Sequence, residues 1–183
     1  MNKAAFLDRD GVINVKAPEG QYVTRWEEVR FLPGVAAAIG LFNKAGFRVI
    51  VISNQRCVAK GLVTSAEVEA LHRKISKELA DRGAVIDAVY FCPHDTDPPC
   101  DCRKPAPGML LQAARDHQID LGASWMIGDS DADVAAGKNA GCKTVLVGPR
   151  AISSTSAPDL LAQSLLDATE KILVLEGLSH PKD

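Results

Sequence analysis

Residues 6–12 read Phe-Leu-Asp-Arg-Asp-Gly-Val, and this stretch decides how the rest of the chain is interpreted. It ends a short apolar run, so we expect residues 4–7 to form a β-strand. Because side chains alternate along a strand, Asp8 and Asp10 would point to the same side, at the carboxyl end where open α/β sheets hold ligands. Two carboxylates there can hold a divalent cation and take part in chemistry. Taken alone, the tetrapeptide 8–11 could equally be a solvated turn.

Three further motifs follow, each next to an apolar run. Ser-Asn-Gln occupies 53–55, Arg-Lys-Pro occupies 103–105, and Gly-Asp-Ser-Asp-Ala-Asp occupies 128–133. Together with the first motif, and in the same order, they resemble the signatures of the haloacid dehalogenase superfamily of phosphatases. The resemblance implies a Rossmann-like core with the strand of Asp8 in its middle.

Length and composition agree with a globular enzyme. The 183 residues suit a single domain spanning 1–183, and 46% hydrophobic with 24% charged residues is ordinary for such a protein. With 21 basic and 23 acidic residues, the chain has no basic excess that would favour nucleic acid as a partner. No apolar run approaches the ~20 residues of a membrane helix, and no secretory pattern opens the chain. We therefore expect a cytoplasmic protein, a monomer without nucleic-acid or membrane partners.

Strand and helix signals alternate along the chain, which favours a parallel sheet with helices on both faces. Strands are expected over 48–52, 88–91, 125–127 and 144–147. Helices are expected over 35–44, after a capping box at 64–67, and over 109–118, 131–139 and 160–173. Residues 153–158 resemble a polar hinge before the last helix. No stretch is long enough for the large cap domain of many superfamily members, so we expect a nearly capless site.

A second group of chemically active residues lies in the loop 92–102. Cys92, His94, Cys100 and Cys102 follow the spacing C-x-H-x5-C-x-C. Three thiolates and one imidazole are the ligands of a closed, tetrahedral structural zinc site. A loop of free thiols with an incidental histidine is the alternative. An odd number of cysteines in a chain without export features also favours thiols or metal ligands over disulfides.

The zinc loop narrows the resemblance within the superfamily. A loop of this spacing that runs directly into Arg-Lys-Pro resembles the branch of heptose 1,7-bisphosphate phosphatases and the related histidinol-phosphate phosphatases. The resemblance covers roughly residues 3–148. It implies that Cys92, His94, Cys100 and Cys102 are the zinc ligands and that a small phosphorylated metabolite is the substrate.

The resemblance also implies a reaction. Asp8 would attack phosphorus and form an aspartyl-phosphate, while Asp10 would protonate the leaving alcohol and then deprotonate water. A carboxylate that attacks a dianionic phosphate needs a cation between the charges, and magnesium suits this because it prefers oxygen ligands. Such two-step catalysis requires an acid that becomes a base.

The remaining site residues are assigned by the same resemblance. Magnesium would be held by Asp8, the Asp10 carbonyl and Asp129. Ser53 and Lys104 would neutralise the phosphoryl oxygens, and Asp133 would orient Lys104 or a metal-bound water. By contrast, we expect Cys142 to be a packing residue and His72 and His117 to be surface histidines.

The substrate is less defined than the reaction. Asn54 and Gln55 would border the substrate, but this chain continues with Arg56 and Cys57 where relatives commonly have Ser-Gly. We expect Arg56 or Arg103 to bind a second anionic group, since a guanidinium pairs with phosphate in two hydrogen bonds. Because Arg56 replaces a small residue of the family, it could equally narrow the pocket and exclude a bisphosphate. The leading interpretation is a heptose 1,7-bisphosphate phosphatase. The alternatives are a phosphatase of histidinol phosphate or another small monoester, and a zinc-stabilised binding module without turnover.

Overall fold

The strand that precedes Asp8 lies in the middle of a six-stranded parallel sheet. The computed structural model describes residues 1–148 and 157–178. The strands are β1 (Ala4–Leu7), β2 (Arg48–Asn54), β3 (Ala88–Cys92), β4 (Trp125–Gly128), β5 (Lys143–Val147) and β6 (Leu160–Ala162). The helices are α1 (Val35–Lys44), α2 (Ser65–Ala80), α3 (Gly108–His117), α4 (Asp131–Ala140) and α5 (Leu165–Leu175). These elements confirm the predicted α/β class.

The strand order is β3-β2-β1-β4-β5-β6, so the chain changes direction across the sheet between β1 and β4. Leu7 at the end of β1 pairs with Val51 on one side and with Ile127 on the other. Ligands of open α/β sheets bind at such a switch point, beyond the carboxyl ends of the strands. The central position of the Asp8 strand is therefore confirmed, and it places the first motif at this point.

Alternation along the strands divides the core between the two faces of the sheet. Ala5 and Leu7 face a cluster that contains apolar residues of α1, α2 and α5. Ala4 and Phe6 face the opposite cluster, which contains residues of α3 and α4. Both faces of a parallel sheet are buried by its crossover helices, which explains why the strands are apolar throughout.

Local sequence features position two of the helices near the site, α2 and α4. The predicted capping box starts α2: Thr64 Oγ1 accepts from the Glu67 amide at 3.2 Å, and Glu67 accepts from the Thr64 amide at 2.7 Å. On α4, Gly137 allows the helix to lie directly on the sheet. A Cβ atom at this position would come within 2.7 Å of Met126 Cβ and of Thr144 Cγ2. This close packing fixes the height of α4 above β4 and β5.

The last predicted helix is wrong at its beginning. Residues 160–162 form β6, which pairs with the open edge of β5 with Leu160 opposite Val145. The helix starts only at Leu165, where Ser164 Oγ accepts from the Asp167 amide at 3.2 Å. A short apolar run fits an edge strand as well as a helix, and pairing with β5 decides between them. Most of the predicted hinge at 153–158 lies outside the described residues.

The connections at the carboxyl edge of the sheet contain little regular secondary structure. Residues 8–34 join β1 to α1, and residues 93–107 join β3 to α3. Within the described parts of the chain, the only helix in these connections is a three-residue 3-10 turn, Trp26–Glu28. In residues 1–148 and 157–178, no helix has both the length and the apolar character needed to cross a bilayer.

Candidate active site

The ends of three neighbouring strands and the start of one helix bring the predicted site residues together. Asp8 directly follows β1, and its amide donates to the Ile127 carbonyl of β4 at 3.0 Å. Ser53 and Asn54 end β2, and Asp129 directly follows β4. Parallel strands end at the same edge, which explains why residues far apart in sequence meet here.

The ammonium of Lys104 is the centre of this group. Lys104 Nζ lies 2.7 Å from Asp8 Oδ1 and 2.6 Å from Asp133 Oδ1, and it donates to the Ile52 carbonyl at 2.8 Å. Lys104 as a whole is 5% exposed. Burial alone would lower the pKa of this ammonium, but Asp133 and Asp8 together raise the pKa above its ordinary value. Lys104 is therefore charged at any physiological pH.

Asn54 holds the backbone of Lys104 at both of its polar groups. Asn54 Oδ1 accepts from the Lys104 amide, and Asn54 Nδ2 donates to the Lys104 carbonyl, both at 3.1 Å. The side chain also borders the cavity described below. Asn54 thus fixes the position from which Lys104 reaches into the site.

Three carboxylates, Asp8, Asp129 and Asp133, have oxygens within 4.8 Å of one another. Asp129 Oδ1 is buried and has no hydrogen-bond partner among the described residues. An unpaired buried carboxylate oxygen is costly, and a divalent cation would satisfy it. Gly11 passes directly beside this carboxylate with φ +95°, where a Cβ atom would lie 2.4 Å from Asp129 Oδ2. The donor set therefore fits Mg²⁺, which takes hard oxygen ligands.

The surroundings of Asp8 and Asp133 separate their roles. Asp133 Oδ2 accepts from the amide and the hydroxyl of Ser130 at 3.1 and 2.5 Å, while Oδ1 pairs with Lys104. Both oxygens of Asp133 are thus used within the protein, which fits an orienting residue better than a metal ligand. For Asp8, burial raises the pKa of the carboxyl well above its ordinary value, Lys104 opposes this, and Asp133 and Asp10 add to it.

Asp10 is held by donors from three directions. Arg9 Nη2 donates to both of its oxygens at 2.8 and 3.0 Å, and Asn14 Nδ2 donates to Oδ1 at 2.9 Å. Gln55 Nε2 lies 3.2 Å from Asp10 Oδ2 and 2.8 Å from Ser53 Oγ. Gln55 and Ser53 are almost fully buried and do not line the open cavity: Gln55 contacts both Asp10 and Ser53.

The cavity above these residues has a volume of about 340 Å³. It is lined by Asp8, Asp10, residues 16–23, Asn54, Arg103, Lys104, Asp129, Ser130, Ala132 and Asp133. Of the two arginines expected to bind a second anionic group, Arg103 reaches this cavity. Arg56 is absent from its lining and instead pairs with Asp95, with Nε 2.5 Å from Oδ1.

The predicted zinc residues form a compact cluster. The distances between Cys92 Sγ and the ligand atoms of His94, Cys100 and Cys102 are 3.6, 3.6 and 3.0 Å, and His94 Nδ1 lies 3.2 Å from Cys102 Sγ. A tetrahedral zinc with bonds of about 2.0–2.3 Å separates its ligands by about 3.3–3.8 Å. The cluster is thus close to the size that Zn²⁺ requires, and it lies two residues before Lys104.

Sequence reasoning missed three residues of this region. Lys16 Nζ lies 2.9 Å from Asp129 Oδ2 at the mouth of the cavity. Arg9 is 1% exposed and contacts the ring of His72. The prediction that His72 lies on the surface is wrong. His72 is 5% exposed, because its side of α2 packs against the loop after β1. Arg9 is part of the Asp-Arg-Asp motif, but only the packing of α2 shows that His72 is its partner.

Comparisons with known proteins show which family this chain resembles. A family profile described as HAD-hydrolase-like matches residues 101–168. A D-glycero-beta-D-manno-heptose-1,7-bisphosphate 7-phosphatase from Rhodopseudomonas palustris is 47% identical over 145 residues, covering 75% of this chain and 79% of that protein. The Escherichia coli protein of the same name is 38% identical over 180 residues, covering 92% and 93%.

A solved structure extends the comparison to three dimensions. The D,D-heptose 1,7-bisphosphate phosphatase of B. bronchiseptica, in complex with magnesium and phosphate, superposes with a TM-score of 0.86 at 35% identity. The match covers 94% of this chain and 99% of that one. The chain therefore belongs to the haloacid dehalogenase superfamily of phosphatases, as a relative of the D-glycero-D-manno-heptose-1,7-bisphosphate 7-phosphatases.

Proposed function

We propose that this phosphatase hydrolyses phosphate monoesters in a magnesium-dependent reaction through an aspartyl-phosphate on Asp8. The observation that carries the proposal is the arrangement of charges around Lys104. One carboxylate of the group, Asp8, faces the cavity next to a fixed ammonium, and a second, Asp129, keeps a buried oxygen free. This arrangement supplies a nucleophile, a positive group for phosphate and a place for a cation.

Magnesium would be held by Asp8, the carbonyl of Asp10 and Asp129. When bound, the ion would offset the repulsion between the Asp8 carboxylate and a dianionic phosphate. Lys16 would continue to neutralise the outer oxygen of Asp129, and Asp133 would keep Lys104 in place from behind.

The chain's own residues then perform two steps. In the first, an oxygen of Asp8 attacks phosphorus, the bond from phosphorus to the substrate oxygen breaks, and Asp10 gives its proton to the leaving alcohol. In the second, Asp10 takes a proton from water, the water oxygen attacks phosphorus, and the bond to Asp8 breaks. Lys104 compensates the charge on the phosphoryl oxygens throughout, which is the main contribution a protein makes to such transfers. Ser53 Oγ accepts from Gln55 Nε2, so its hydroxyl proton would remain available to donate to the same phosphoryl oxygens.

D-glycero-D-manno-heptose 1,7-bisphosphate is the substrate we propose. Relatives named for this substrate match at 36–47% identity. A bisphosphate needs a cation beyond Lys104, and the cavity offers Arg103 and Lys16. Arg103 is held toward the loop by a hydrogen bond from Nη1 to the His94 carbonyl at 3.3 Å. We assign the second phosphate to Arg103 and not to Arg56, since Arg56 pairs with Asp95 outside the cavity.

Zinc in the 92–102 loop is proposed to be structural. Cys92, His94, Cys100 and Cys102 would fill all four positions of a tetrahedral ion, which leaves none for substrate or water. Its effect on the reaction would be indirect, because the same loop continues into Arg103 and Lys104.

The Asp8→Asn variant tests the nucleophile. It keeps the size of the side chain but removes the attacking charge, so kcat for phosphate release should fall on the order of a thousandfold or more. Lys104 keeps Asp133 as its ionic partner, so the variant should be folded at the assay temperature, with a melting temperature lowered by the loss of one ion pair. Asp131→Asn is the matched control, since Asp131 is exposed in the first turn of α4 and should leave kcat unchanged. Wild-type kcat in Asp8→Asn would exclude the mechanism.

The zinc site is tested by elemental analysis of protein prepared without chelator, where we expect one zinc per chain. Cys100→Ser should lose the zinc, lower the melting temperature and lower kcat, because the loop that places Lys104 loses its anchor. Cys142→Ala removes a buried cysteine outside the cluster and should keep the zinc. Zinc-free wild-type protein with full stability would contradict the proposal.

The substrate is tested by comparing kcat/KM for the heptose 1,7-bisphosphate, histidinol phosphate and simple sugar monophosphates. Wild-type protein should prefer the bisphosphate. Arg103→Ala should reduce this preference by about tenfold or more, the value of a charge-assisted phosphate contact of ~1.5–3 kcal/mol. Arg56→Ser, which removes an arginine outside the cavity, should change it little. A preference for histidinol phosphate would replace the proposed substrate, and an equal effect of both variants would contradict the role of Arg103.

A further inference from the structure

Arg9 forms a buried link between Asp10 and helix α2. Its Nε and Nη2 atoms donate to Asp10 at 2.8–3.2 Å, and Nη2 also donates to the Val23 carbonyl at 3.0 Å. The remaining corner of the guanidinium, Nη1, lies 3.2 Å from His72 Nε2. Arg9 is 1% exposed, so water does not substitute for these partners.

The chemistry of the two groups fixes the state of His72. A guanidinium only donates hydrogen bonds, so Nε2 of His72 must be the acceptor and the ring proton must be on Nδ1. Burial, with a further contribution from the positive charge of Arg9, lowers the pKa of His72 to about 3. The ring also packs edge-on against Phe91, with ring centroids 5.6 Å apart. His72 is therefore a neutral, rigid acceptor.

We propose that His72 is a positioning residue for the reaction: through Nε2 it holds the guanidinium of Arg9, and Arg9 in turn holds the carboxylate of Asp10. The inference rests on the proposed function, in which Asp10 exchanges a proton with the leaving alcohol and with water. His72 does not touch the substrate cavity.

His72 can affect the reaction rate because the Arg9–His72 contact helps to fix the orientation of the Asp10 carboxylate. Proton transfer requires the donor and acceptor to lie within hydrogen-bond reach in a fixed orientation, and a displacement of about 1 Å can cost ~10²-fold in rate. Arg9 fixes Asp10 only if its own plane is fixed, and three corners of the guanidinium define that plane. Without an acceptor at His72, Nη1 is a buried donor without a partner, and the guanidinium turns to find one.

The test compares two substitutions of His72 in the full-length protein loaded with magnesium. His72→Phe keeps a ring against Phe91 but removes the acceptor, and we expect kcat to fall about tenfold with KM changed less than about twofold. His72→Gln offers an amide oxygen near the position of Nε2 and should recover most of kcat. His117→Phe is the matched control and should match wild-type kcat: this half-buried histidine ends α3, which covers the face of the sheet opposite to α2.

A purely structural role would lower the melting temperature of His72→Phe and leave its kcat unchanged at an assay temperature where it is folded, and this result would overturn the proposal. A second test uses Arg9→Met, in which His72→Phe should have no further effect on kcat if it acts through Arg9. Additive losses in the double variant would also overturn it.

A readout without turnover separates this inference from the proposed function. Nitrogen NMR of the wild-type histidines should show His72 as the neutral tautomer with the proton on Nδ1 and an unprotonated, hydrogen-bonded Nε2. A proton on Nε2 would show that Nε2 does not accept from Arg9 and would overturn the proposal, whatever the measured activity. This test needs no variant, so it stays decisive if His72→Phe does not fold. Absence of phosphate release by the wild-type protein would instead refute the proposed function and, with it, the catalytic role of His72, even if the tautomer were as expected.

Discussion

The buried ammonium of Lys104 is the contact on which the site depends. It joins Asp8 after β1, the Ile52 carbonyl in β2 and Asp133 in the first turn of α4. Together with the 93–107 loop that carries Lys104, four segments must therefore be in place for its charge to be compensated. An unpaired charge at this depth would cost several kcal/mol. The same ion pair that stabilises the edge of the sheet therefore also holds the proposed nucleophile beside a positive group. Stability and phosphate chemistry have one structural cause here.

Two further constraints keep Lys104 where it is. Asn54 clamps its backbone to the end of β2, and the cysteine-histidine cluster ends only two residues before it. A loop of this length with exposed Asp and Pro residues has few apolar contacts of its own, so a metal ion is an effective anchor. The arrangement explains why a zinc site would lie beside a reaction in which zinc takes no part. It also explains the place of Arg56, whose bond to Asp95 ties the same loop to the β2–α2 connection.

Sequence predicted those features that depend on local periodicity and on motifs with fixed spacing. The position of β1 and the capping box of α2 follow from such patterns. The grouping of Asp8, Asp129, Asp133 and Lys104 was implied by the resemblance of their motifs to the haloacid dehalogenase signatures. The rest depends on packing between distant elements. The segment Leu160–Ala162 fits a helix or a strand by its sequence, and pairing with β5 makes it a strand. His72 is buried because α2 packs against the loop after β1. Arg56 lies only two residues after Asn54 in sequence but pairs with Asp95 of another loop. Adjacency in sequence was a poor guide to membership of the cavity.

Direct capture of the covalent intermediate tests the central claim, that Asp8 carries the phosphoryl group. The design uses Asp10→Asn and p-nitrophenyl phosphate, a substrate whose leaving group departs without an acid, while the water step still needs the missing base. The first step then proceeds and the second is slowed, so the intermediate accumulates. Acid quenching and peptide mass spectrometry should place one phosphoryl group on Asp8. A phosphoryl group on any other residue, or nitrophenol release without a covalent adduct, would contradict the account.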